Sequence, residues 1–158
     1  MSKLFEILRT LAILGLIGFC PSFTSAQATD PLAGTWNFKV LVTSGCSSEC
    51  NYSGMLAFNQ GGTVVEQRGT VIEYGGLGDI ERTALGRWRP ANAMLSYTFK
   101  MKNFVFDSNG ELSGYVIASS AITLSSTHNS LTGKGTANIF HANDKIATES
   151  FTISGTRF

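Results

Sequence analysis

From Gly34 onward the chain alternates. Trp36, Phe38, Val40 and Val42 fall on one face of an extended run, and Asn37 and Lys39 on the other. A period of two marks a strand with one face buried. Residues 52–58 follow, with Gly54, Leu56 and Phe58 on a common face, and "NQGG" (59–62) turns the chain into a third strand, 63–68. A longer connection, 68–81, with Gly75, Gly76 and Gly78, leads to a fourth strand, 82–89. "PAN" then turns into 94–106, "DSNG" into 111–124, "SSTHNS" into 131–141 and "AND" into 145–157. No segment carries an apolar stripe at helical spacing. The pattern therefore predicts an all-β domain of eight strands, each running back beside its predecessor.

An open meander of eight strands leaves two unpaired edges, and closing the last strand on the first removes both. The expected fold is an eight-stranded antiparallel up-and-down β-barrel; a two-sheet sandwich is the alternative, but its long crossovers are missing. With an even strand count, the first strand starts at the end where the last one finishes, which sets Trp36 beside Arg157. Arg157 shares the inward parity of Gly155, Ile153 and Phe151, so its guanidinium can lie on the indole and close that end. Parity also assigns inward positions to Phe38, Val40, Leu56, Phe58, Trp88, Leu95, Tyr97, Phe99, Ile139 and Phe151, as core and as candidate ligand contacts. In the fifth strand Tyr97, Phe99 and Met101 have one parity and Phe104 and Phe106 the other, so a bulge near Lys102–Asn103 is expected to bring both sets inward. Whether Tyr115 and Ile117 or Val116 and Ala118 face inward depends on that bulge.

"GTW" at the first strand and "SGTRF" at the end of the last, with "GRW", "FDSNGELSGY", "ITL" and "LTGKG" between them, resemble the calycin superfamily. Within it the text is similar to exported bacterial lipocalin-like proteins related to allene oxide cyclase barrels. The resemblance covers the chain beyond its leader and implies a ligand-holding barrel. Its motifs close the barrel and carry no ligand contacts, so no catalytic residue transfers position by position.

The first 28 residues stand apart. Lys3 and Arg9, an apolar run of nine (11–19), Pro21 and then Ala26-Gln27-Ala28 follow the order of a secretory signal peptide. Cleavage is expected after Ala26 or Ala28, leaving 29–158 as one barrel domain exported to the bacterial periplasm or the exterior. The apolar run is shorter than the about 20 residues of a membrane span. In such a compartment Cys46 and Cys50 of "GCSSEC" read as a disulfide; a zinc site would need two more soft ligands, and His128 and His141 are remote in sequence. Residues 29–158 balance ten basic against ten acidic side chains, with no evident basic patch, which argues against nucleic acid.

Candidate chemistry is sparse. His141 is expected inward at the rim, and Glu149 shares the face of Phe151. Pairing across the last turn separates them by about four residues, roughly 13 Å, too far for an acid–base dyad. With Tyr97 they remain single candidates. No nucleophile triad, metal cluster, cofactor motif or phosphate loop is visible. The expected function is a small-molecule binder that holds an apolar or amphipathic ligand in the barrel. A cyclase or isomerase of the allene oxide cyclase type is the alternative, and a structural or inhibitor protein using its mouth loops a third. The sequence sets neither the ligand nor the oligomeric state.

Overall fold

The computed structural model describes residues 29–45, 51–70, 72–74, 78–80 and 82–158, with backbone alone for 72–74 and 78–80. The expected leader and cleavage site, and the Cys46/Cys50 pair expected as a disulfide, lie outside the described residues. Among the described residues ten strands form, all paired antiparallel: β1 (Gly34–Ser44), β2 (Tyr52–Asn59), β3 (Thr63–Arg68), β4 (Ile72–Tyr74), β5 (Gly78–Ile80), β6 (Thr83–Pro90), β7 (Ser96–Phe106), β8 (Leu112–Leu124), β9 (Ser130–His141) and β10 (Asp144–Arg157). Eight of them, β1–β3 and β6–β10, close into an up-and-down barrel, since β1 pairs with both β2 and β10 and β7 with both β6 and β8.

The other two correct the expected open connection at 68–81. β4 and β5 form a short hairpin, and β5 adds to the end of β7 through Asp79↔Phe106 and Ile80↔Val105. Within β4, Ile72 is β-branched and Tyr74 aromatic, with glycines after them, and such text prefers a ladder to open coil. β5, and β4 through it, is thus zipped to the barrel wall.

The barrel is strongly sheared. Trp36 pairs with Leu56, Leu56 with Glu66 and Glu66 with Ala84. Leu85↔Lys102 carries that row to Asn103, and it continues through Val116 and Ile139 to Ala147, ten residues short of Arg157, where Trp36 itself pairs. Such a stagger tilts the strands by about 40° and lets residues of different rows meet at one height.

Closure is secured at the Trp36 end. The Arg157 guanidinium lies 4.4 Å from the Trp36 ring centroid. It donates to the carbonyls of His128 (3.1 Å), Ala33 (3.0 Å) and Pro31, while the buried Trp36 Nε1 donates to Leu32 O at 2.9 Å. A Cβ on Gly34, whose φ is +133°, would stand 2.7 Å from Arg157 Nη1. Only glycine accepts both that backbone and that approach.

The fifth expected strand needs two corrections. It starts at Ser96, because Leu95 takes φ 57° in the turn while its side chain packs on the core. No bulge falls at Lys102–Asn103; pairing with β8 runs without shift until Val105/Phe106. Asn103 and Val105 therefore continue the inward parity of Met101, and Phe104 is 40% exposed. The choice left open on β8 resolves with it: Val116 and Ala118 face in, and Tyr115 stacks outside on Phe140 at 4.7 Å. A buried asparagine kept its alternation because its amide finds a partner in Thr83 O at 3.1 Å.

Candidate functional site

The interior has two parts. Near the closed end, large rings interlock: Phe58 meets Trp88 at 6.1 Å and Phe99 at 5.9 Å, and Trp88 meets Tyr97 at 5.7 Å, all edge-on. Such pairs favour packing beyond their area alone. Phe38, Val40, Leu56, Phe58, Trp88, Tyr97, Phe99, Ile139 and Phe151 are all buried, and Leu95 is half-buried. Except for Ile139, they form one continuous packed core. Toward the other end the inward side chains become small, with Val105, Val116 and Ile139 as a separate cluster joined by Tyr52, Ala137 and Ala147.

Charge enters between these parts. β3 has Val64, Glu66 and Arg68 inward, because they pair with Phe58, Leu56 and Gly54 of β2. Glu66 and Arg68 are 1% and 4% exposed at the side chain, and Arg68 Nη2 donates to Glu66 Oε2 at 3.3 Å. The guanidinium stands 4.9 Å from the centroid of the Tyr52 ring, and Tyr52 in turn meets Phe38 edge-on at 5.8 Å. Gly54 opens this corner: a Cβ there would lie 2.2 Å from the Gln67 carbonyl oxygen and 2.9 Å from the Arg68 Cα. Burial pushes the Tyr52 phenol well above its ordinary range, the Glu66 charge adds to this, and Arg68 opposes it. Tyr52 thus stays a neutral hydroxyl at any physiological pH.

The pair is incompletely satisfied. Glu66 Oε1 and Arg68 Nε and Nη1 are buried and have no hydrogen-bond partner among the described residues. A buried polar atom without a partner costs about 1–3 kcal/mol, and more when charged. All three lie in the one buried pair. Buried Asn103 and Glu149 also face the interior in this half of the barrel.

The residues nominated from sequence are not gathered together. Glu149 faces inward and pairs with Ala137, as the alternation predicts. His141 has the inward parity, but at the strand end it is exposed, because the turn closes at His141↔Asp144 and a bulge at Ile146 restores the register below. Tyr97 stands at the closed end, remote from Glu149. Burial pushes its phenol up to about 12, and the neighbouring Asp30 carboxylate adds to the shift. The folded state therefore holds the Tyr97 proton more tightly than the unfolded chain, where a phenol titrates near 10. Its stabilisation is complete below about pH 10 and is lost as the pH rises toward 12. Denaturant midpoints measured across that window are expected to fall for the wild type and to fall less for Tyr97→Phe.

Glu66, Arg68 and Tyr52 were missed, although the signal was available. Once Leu56 and Phe58 are inward and 59–62 is a tight hairpin, antiparallel pairing fixes Glu66 and Arg68 inward too.

No family model, no curated protein and no solved structure matches this chain. The fold is nevertheless plain: a closed eight-stranded antiparallel barrel, compatible with the calycin architecture. Among the described residues there is no metal-binding group of His, Cys, Asp and Glu, and no helix long and apolar enough to cross a membrane.

Proposed function

We propose that this is an exported small-molecule-binding protein of calycin type whose guest sits in the half of the barrel lined by Tyr52, Glu66, Arg68 and Asn103. The observation that carries this reading is the buried Glu66–Arg68 pair with unpartnered donors on Arg68 and an unpartnered acceptor on Glu66. The pair is neutral as a whole, so it favours a neutral polar end that both accepts and donates, such as an amide, a hydroxy-carbonyl or a protonated carboxylic acid. The apolar wall of Val105, Val116 and Ile139 favours an apolar body on the same molecule. The aromatic core below supports the site as a rigid floor, which holds the charged pair in place before the guest arrives.

A titration with matched long-chain compounds, a primary amide against the methyl ester, tests this, with tryptophan fluorescence as the readout. Saturable binding with the amide about tenfold tighter, equivalent to about 1.4 kcal/mol, is expected. Equal affinities, or no saturation by either compound, would overturn the proposal.

A further inference from the structure

We propose that the outer wall over β6–β9 is a second, independent site: a groove for an anionic polysaccharide. Two adjacent rows of outward side chains cross these four strands. Arg87 pairs with Lys100, Lys100 with Ser119 and Ser119 with Thr136; Arg89 pairs with Thr98, Thr98 with Ala121 and Ala121 with Lys134. All eight residues line one surface groove of about 840 Å³. Its flanks are Arg87, Arg89 and Lys100 on one side and Lys134 on the other, and small or hydroxylated residues form its floor.

Three features set it apart from an ordinary solvated face. Arg87 and Lys100 are direct cross-strand neighbours of like charge, an arrangement that destabilises a sheet unless an anion lies over it. None of the four cations forms an ion pair with a described carboxylate or rests on a described ring, whereas Lys102, in the next row, sits over Tyr115 at 4.0 Å and over Phe104 at 5.0 Å. Among the eight barrel strands the one exposed carboxylate is Asp144, at the very start of β10, although soluble surfaces normally intersperse both signs.

The spread of charge selects the partner. Three strand spacings, roughly 14 Å, separate β6 from β9, too far for one small anion to reach both flanks. A chain with repeating negative groups spans it, and its hydroxyls meet Thr98, Ser119 and Thr136. Single-stranded nucleic acid needs exposed rings for base stacking, and these two rows offer none, since Trp88 and Phe99 are buried.

The test uses a defined sulfated oligosaccharide and a polyuronate of equal length as probes. A thymidine oligonucleotide and vesicles containing phosphatidylserine serve as rivals, all at about 50 mM and about 200 mM salt. At least one saccharide is expected to bind saturably and to weaken with salt. Arg87→Glu/Lys100→Glu should weaken it by about tenfold or more, and the charge-matched Lys39→Glu/Lys145→Glu by no more than about twofold. The single variant Arg87→Glu faces Lys100 with an opposite charge, so its melting temperature should stay level or rise while binding falls. No saturable saccharide binding, equal losses in both double variants, or tighter binding to the oligonucleotide or the vesicles would each overturn the proposal. Guest binding inside the barrel should be the same in all these variants, so the two sites fail separately.

Discussion

Arg68→Met is expected to destabilise the protein by about 3–5 kcal/mol, while Glu66→Leu/Arg68→Met should fold about as stably as the wild type or more so. The single change removes the cation paired with a carboxylate that is 1% exposed and leaves that charge buried without its counter-charge. It also removes the cation from the face of the Tyr52 ring. The double change replaces two desolvated charges and three unpartnered polar atoms with apolar side chains of similar volume, which need no partners. Urea midpoints of the wild type, the single and the double variant check the order. A double variant as weak as the single one would mean that the pair is a structural strut. The expected order, with guest binding lost in the well-folded double variant, is the signature of charges kept for a ligand at the expense of stability.

Arg157→Ala is expected to cost about 3 kcal/mol, a drop in melting temperature on the order of 10 °C for a domain of this size. Its guanidinium satisfies carbonyls from three segments, at Pro31, Ala33 and His128, and covers Trp36. Bonds from a charged donor contribute about 1.5–3 kcal/mol each where the acceptor is otherwise left dry, and solvent reaching the truncated end would recover part of this. Arg157→Lys should restore the charge but not the planar fork that reaches three carbonyls, and so recover less than half. Differential scanning calorimetry of the three proteins gives the comparison. Because the Glu66–Arg68 layer lies in the other half of the barrel, guest affinity should remain within about twofold of wild type below the unfolding transition.

Much of this was legible beforehand. A period of two, short turns and an even strand count dictate an up-and-down barrel with Trp36 and Arg157 at one end, because edge strands cannot stay open and pairing follows parity. Hidden in the same text was the inward pair Glu66 and Arg68: charged residues near a turn look like solvated surface until the hairpin register with Leu56 and Gly54 is applied. Phe104 misled for the opposite reason. Its aromatic character argued for burial, and the uninterrupted ladder with β8 put Asn103 inside instead, because a hydrogen-bonded amide costs less there than a broken register.

The linear sequence by itself thus determined what depends on neighbours along the chain: strands, turns, closure and the aromatic floor. The tertiary structure decided what depends on neighbours across it. Shear brought Tyr52, Glu66 and Arg68 into one buried layer. Cross-strand register set Arg87 against Lys100 on the outer wall, and β5 was zipped onto β7. Each of these depends on the register between paired strands, which the periodicity of either strand taken alone does not carry.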